Sequence, residues 1–320
     1  MKSDWFSPSR STALIRPSVP SGNRAIVFSA LIRGRPAVPD LLVGVKTIAI
    51  NVEKGGAGKT MIACHLAWVL ADAGHRVLFL DLDRQCNATD ALADFESLGT
   101  CKPLFEPNYV PPTSLPRLSI YSNRMGGEYD ADYPRALTNI NANFPALDSH
   151  FDFCVIDTPP SWSWINYAAL LVCNHLIVPV ELGPFGPAAT KQVSDSIATV
   201  NQRRKTPIHV VGLVPNRVRA NDTHQMKMLA AIKEKIGRNL FTNFLPERAH
   251  YSQAMQEHVP VWREKAAVAD ADRVQLLDPE LLYPDPENVR SAIDEATIDE
   301  MAETIKERGQ LQPITVRAQG

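Results

Sequence analysis

Apolar residues begin to recur in strand-length runs only from Val45 onward. Thr47 to Val52, Arg76 to Leu82, Phe153 to Ile156, Leu176 to Val180 and Val210 to Val214 are short, apolar and mostly rich in β-branched residues, the pattern of strands buried on both faces. Between them lie helical stretches. Thr60 to Ala73 is apolar at helical spacing and is followed by Gly74, a residue that readily adopts the left-handed conformation that ends a helix. Strands alternating with helices at this spacing predict an α/β fold, a mostly parallel sheet with helices on both faces. Two stretches break the pattern. Residues 1–44 are rich in Ser, Pro and Arg, with Pro8, Pro17, Pro20, Pro36 and Pro39 interrupting any helix, and are expected to be a disordered leader. Pro103 to Pro116 reads as a surface loop.

Composition sets few limits until charge is followed along the chain. The 320 residues are 45% hydrophobic and 21% charged, ordinary for one large globular domain or two small ones. The five cysteines form no CxxC pair, which suits reduced thiols better than a disulfide framework or a metal cluster. No apolar run approaches the roughly 18 residues that suggest a membrane span. The formal net charge is only -2, yet Arg203 to Arg248 carries ten Lys/Arg against three acids, and Asp270 to Arg308 twelve acids against four Lys/Arg. In the basic segment the predicted helix Thr223 to Ile236 and its end place Lys227, Lys233, Lys235 and Arg238 on or beside one face. Such a face suits salt-sensitive contact with nucleic-acid phosphates without base reading. A merely solvated helix face is the competing reading.

The most informative residues are Lys54-Gly55-Gly56-Ala57-Gly58-Lys59-Thr60, between the strand ending at Val52 and the helix beginning near Thr60. This is the strand-loop-helix setting that a phosphate-binding loop requires. Glycines let backbone N–H groups turn inward around phosphate oxygens, and the helix presents its positive N-terminus to them. The expected nucleotide-binding residues are Gly55, Gly56, Ala57, Gly58, Lys59, Thr60 and Met61, with Lys59 on the β- and γ-phosphates and the Thr60 hydroxyl on Mg²⁺.

An ordinary loop of this kind needs no lysine at position 54. KGGxGKT with that extra lysine resembles the deviant Walker A motif of the ParA/MinD family of P-loop NTPases. The resemblance implies a Mg²⁺-dependent ATP hydrolase that dimerises around ATP, with Lys54 crossing the interface to the partner's phosphates and acting in catalysis beside Lys59. Asp81-Leu82-Asp83-Arg84-Gln85 is similar to the family's DxDxQ segment, which implies that Asp83 acts on the attacking water and that Asp81 lies near the metal. Phe153 to Pro160 resembles its Walker B segment, with Asp157 holding Mg²⁺ through water. Val214-Pro215-Asn216-Arg217 resembles the adenine-contacting segment; Asn216 is then the base reader, or else simply a turn residue. Leu245 to Arg248 and Glu257 to Val261 resemble the last block of the plasmid-type branch, so the likeness covers Val45 to Arg263. Met61, Glu53 and Arg84 depart from the usual pattern, and none of them removes a catalytic group.

The acidic tail has its own order. Val274 to Leu277 with Leu281 to Pro284 reads as extended and Asp285 to Arg290 as a turn. Asp294 to Arg308 reads as an amphipathic helix carrying Ile298, Met301, Ala302 and Ile305, and Pro313 to Arg317 as a strand. This order, with its GQLQPITVR phrase, resembles the opening of the ParB N-terminal domain, a small incomplete α+β appendage. The chain stops short of that family's Gly-Glu-Arg-Arg motif and helix-turn-helix, so no CTP site and no sequence-specific DNA reading are expected. The expected organisation is a leader at 1–44, an ATPase domain at 45–265 and the ParB-like segment at 266–320. The resemblance implies a cytoplasmic, nucleoid-associated partition ATPase whose ATP-dependent homodimer binds double-stranded DNA nonspecifically and is stimulated by a centromere-bound ParB-type partner, with no membrane contact. Two alternatives stay open. A MinD-like membrane-organising ATPase would need a basic amphipathic C-terminal helix, where this segment is acidic. A fusion fragment could interfere with partition through mixed dimers.

Overall fold

A computed structural model describes residues 45–124, 133–161, 163–182, 186–236, 239–241 and 243–263. The expected leader at 1–44 and the elements expected between 274 and 317 lie outside the described residues.

Seven strands form one parallel sheet in the order β3-β4-β2-β5-β1-β6-β7. They are β1 (Lys46–Ile50), β2 (Val77–Asp81), β3 (Glu96–Thr100), β4 (Leu118–Ser122), β5 (Phe153–Asp157), β6 (His175–Glu181) and β7 (His209–Asn216). The helices are α1 (Lys59–Asp72), α2 (Asn87–Ala91), α3 (Tyr133–Asn143), α4 (Trp164–Val172), α5 (Gly186–Asn201), α6 (Thr223–Ile236) and α7 (Ala249–Gln256). The expected α/β architecture is therefore present. Strand β1 lies within the sheet between β5 and β6; the chain leaves it towards β2 on one side and later passes from β5 to β6 on the other. Ligands of open α/β sheets bind outside the carboxyl ends of the strands where such a reversal occurs.

Side chains alternate between two cores, as strand pleating requires. Ala49, Leu78, Leu80, Cys154, Ile156 and Val178 face a cluster shared with α3, α4 and α5. Ile48, Ile50, Val77, Phe79, Val155 and Ile177 face the cluster shared with α1, α2 and α7. All five cysteines are free and buried, as the reduced-thiol reading expects. Among the described residues no helix is long and apolar enough to cross a membrane.

Strands β3 and β4 escaped the sequence pattern. Edge strand β3, Glu-Ser-Leu-Gly-Thr, has no fully buried residue, and its pairing with β4 shifts register between Ser97 and Thr100. The stretch read as a surface loop from Pro103 is only partly one: a 3₁₀ turn at Lys102–Phe105 buries Leu104 and Phe105 in the core.

Helix α1 carries the connection from the sheet to the end of the domain. His65, 4% exposed, donates through Nδ1 to the Met61 carbonyl at 2.8 Å and accepts the Val261 N–H at Nε2, 3.1 Å. Its ring meets Trp68, Tyr251 and Trp262 edge-on. Trp262 Nε1 also donates to Asp72 Oδ2 at 3.1 Å, and Arg263 pairs with the same carboxylate. This arrangement requires neutral imidazole, and burial lowers the His65 pKa to about 4. Between about 6.5 and 4 the unfolded chain therefore binds a proton at this residue that the folded chain does not, and stability falls as pH falls. Burial raises the Asp81 and Asp157 carboxyls, which act in the opposite sense, so the histidine is isolated by difference. Urea unfolding of the chain and of His65→Leu should show an advantage for the histidine-bearing chain that shrinks by about 3 kcal/mol from pH 7 to pH 4; an advantage independent of pH would refute the assignment.

Candidate nucleotide site

The loop between β1 and α1 sits at the carboxyl end of β1, an inner strand of the sheet. Gly56 and Gly58 take positive φ, 74° and 87°, a conformation that costs glycine little and other residues more. Gly58 has a second constraint, because a Cβ there would collide with the side-chain amide of Asn216. That amide donates from Nδ2 to the Ala57 carbonyl at 2.7 Å, and Asn216 is 2% exposed. Asn216 thus supports the loop through one of its two amide hydrogens.

The residues expected at the site divide by environment. Gly55 and Gly56 are exposed, Ala57 is buried and Gly58 half-buried. Lys59 is buried and its Nζ donates across the loop to the Lys54 carbonyl at 2.9 Å. Burial lowers its pKa, while Asp157 and Asp83 pull the other way. Met61 packs against the core beneath α1, so its side chain serves the helix. Glu53 accepts a hydrogen bond from Ser196 Oγ at 3.0 Å, which accounts for a carboxylate beside the phosphate loop.

Asp81 and Asp157 end adjacent strands and are paired in register. Both Asp81 oxygens are engaged: Oδ1 by the Asp83 N–H at 3.3 Å, Oδ2 by the Thr89 N–H and hydroxyl at 2.8 and 2.6 Å. Burial still raises the Asp81 pKa to about 6. Its carboxylate organises the turn that carries Asp83, and Asp83 in turn accepts the Gln85 N–H at 3.0 Å. Asp157 is more strained electrostatically. Burial, then Asp81, raise its pKa to about 8 against the opposing Thr60 hydroxyl, which donates to it, and Lys59. Its Oδ1 is buried with no hydrogen-bond partner in the structure. An unpartnered carboxylate oxygen beside a threonine hydroxyl is an all-oxygen donor set that fits a hard divalent cation such as Mg²⁺, which takes one or two protein oxygens and otherwise phosphate and water. The structure thus brings together Lys59, Thr60, Asp81, Asp83 and Asp157.

Three further residues join the site, of which the motifs had named only Arg217, and without a role. Thr89 anchors Asp81, as above. Glu181 ends β6 opposite Asn216 in register; it pairs with Lys54 Nζ, and Arg217 Nη1 lies 3.4 Å from its other oxygen. Arg217 adopts φ 56° and reaches over the loop, within 3.7 Å of where a Gly56 Cβ would stand. Glu181 immediately follows the apolar run Leu176 to Val180, so a strand-end carboxylate was visible; its partners were not.

A family model described as the CobQ/CobB/MinD/ParA nucleotide binding domain matches residues 48–261. The chain belongs to that family. A second model, the ParB N-terminal domain, matches residues 263–320. Among curated relatives, IncC of Escherichia coli is 28% identical over 240 residues, covering 70% of this chain and 65% of that protein. The chain therefore spans just under two thirds of the length of IncC. Soj of Bacillus subtilis, a sporulation initiation inhibitor protein, is 23% identical, covering 68% of this chain and 90% of Soj. Apo McdA of Cyanothece shares the fold at TM-score 0.59 and 23% identity, covering 78% of this chain and 99% of McdA.

Because Asn216 supports the loop that every nucleotide would use, Asn216→Ala should weaken ATP and GTP binding alike, by about tenfold for one lost hydrogen bond. Calorimetric titration with each nucleotide measures this. A loss confined to ATP would favour base reading by Asn216 over loop support.

Proposed function

We propose that the chain is a partition ATPase of the ParA type, in which ATP and Mg²⁺ drive dimerisation, the dimer binds DNA nonspecifically, and a ParB-type partner stimulates hydrolysis. The observation that carries this reading is Lys54 beside the Gly-Lys-Thr loop, with Asp83 and Asp157 gathered at the same strand ends. Thr60 and Asp157 would hold Mg²⁺, which when bound supplies charge neutralisation at the phosphates. Lys59 would hold the β- and γ-phosphates. Asp83, carried on the turn that Asp81 fixes, would orient the attacking water. Such positioning and charge stabilisation are most of what phosphoryl transfer asks of a protein. The likeness to a chromosome-partitioning ATPase of Thermus thermophilus, 27% identical, and to a chromosome partitioning protein of Myxococcus xanthus, 25% identical, supports the segregation role, as does the ParB-type match at 263–320.

The DNA surface is narrower than the basic count implied. Arg204 is turned inward, donating to the Leu170 and Leu171 carbonyls and so capping α4. Arg217 is paired with Glu181, and Arg219 with Glu247 at 2.7 Å. Lys227 and Lys233 are exposed on α6, and Lys205 is exposed after α5; these are the cations we assign to phosphate contact.

Lys59→Ala should reduce ATP turnover by at least about a hundredfold, measured by phosphate release; normal turnover would sink the ATPase assignment. Asp83→Ala should keep ATP-dependent self-association while blocking hydrolysis, read by sedimentation and phosphate release on the same sample. Fluorescence anisotropy with duplex DNA should show binding with ATP but not with ADP or no nucleotide, weakening steeply as salt rises. Binding indifferent to nucleotide would overturn the switch.

A further inference from the structure

The exposed end of Lys54 is not free in this structure. Its ammonium pairs with Glu181, whose carboxylate also meets Arg217. The pair joins elements distant in sequence: Lys54 lies in the loop after β1, Glu181 at the end of β6, and Arg217 just past β7. Glu181 is the more enclosed member, its side chain 20% exposed against 37% for Lys54. A carboxylate with two cations can release one and keep the other, so departure of the lysine does not leave Glu181 without a counter-charge.

We propose that Glu181 is a positioning residue for Lys54: it holds the lysine against its own loop, so that reaching the nucleotide of a second copy requires breaking an ion pair made within the chain. The second half of this statement rests on the ATP-sandwich reading above; the first half does not. Glu181 thereby sets the threshold for dimerisation, and Arg217 makes the exchange reversible by keeping the carboxylate neutralised when the lysine leaves. A half-exposed pair of this kind is worth about threefold in an equilibrium constant. A symmetric dimer breaks two such pairs, so the effect on the dimer constant is that factor squared, roughly tenfold.

Two measurements on the full chain test the two halves. In nucleotide-free protein, amine acylation followed by mass spectrometry should label Lys54 about threefold faster in Glu181→Gln than in the unaltered chain, because loss of the ion-pair partner leaves the amine open to the reagent. Exposed Lys227 should be labelled equally in both, which controls for misfolding. Equal labelling of Lys54 overturns the proposal whatever the chain does with nucleotide. Sedimentation with a non-hydrolysable ATP analogue should then place the dimer midpoint of Glu181→Gln at roughly tenfold lower concentration. An unmoved midpoint overturns the threshold role. A chain that stays monomeric in both forms would sink the ATP-sandwich reading instead, with the labelling result still deciding whether Glu181 holds the lysine.

Discussion

Two carboxylates placed side by side at buried strand ends are the constraint to which the rest of the site answers. Asp81 and Asp157 are neighbours in register on β2 and β5, and removing both charges from water is costly unless each is compensated. The chain compensates them unequally. Asp81 receives three hydrogen bonds from its own downstream turn and so becomes the anchor that presents Asp83. Asp157 receives less, keeps one oxygen unpartnered and has the higher pKa. The imbalance separates the two: Asp81 is held by its own turn, and Asp157 is left short of a positive partner. Lys59, itself buried and held by the Lys54 carbonyl, is the nearby cation whose charge both Asp157 and Asp83 favour.

The parts of this arrangement that were legible in the sequence are those where neighbours along the chain are also neighbours in space. The loop from Lys54 to Thr60 needs only a strand before it and a helix after it, and both are announced by local periodicity. Asp81 to Gln85 forms its own turn, so its spacing already implies its geometry. The central strands were visible because burial on both faces leaves a continuous apolar run. Edge strand β3 was not, because it is exposed along much of its length, contains Gly99 and breaks register with its neighbour. Its backbone pairs are made with β4, beyond a Pro-rich segment that masks both strands.

What stayed hidden depends on contacts between strand ends far apart in sequence. Arg204 is one more cation of the basic segment in the sequence, but in the fold its guanidinium caps α4. Arg217 and Arg219 were likewise counted with the surface, although each meets a carboxylate. A charge tally along the chain therefore overstates the field that a basic segment presents, because it cannot show which cations are paired with a carboxylate at the surface, as Arg217 and Arg219 are, or turned inward, as Arg204 is.

Asn216 and Glu181 show the same logic at the loop itself. They are partners in register on β7 and β6, and their side chains act on the loop from two sides. Asn216 ties the Ala57 carbonyl from beneath, where Gly58 leaves just enough room for it. Glu181 engages Lys54 at the more open end. One contact is buried, neutral and directed at backbone; the other is charged, partly solvated and directed at a flexible side chain. A buried hydrogen bond with no room around it resists exchange, whereas a partly solvated ion pair with a second cation at hand yields to a modest competing attraction. The two strand ends thus divide the loop into a segment held in one conformation and a lysine held reversibly, the division needed if phosphate binding is to be rigid while the contact with another subunit is to be conditional.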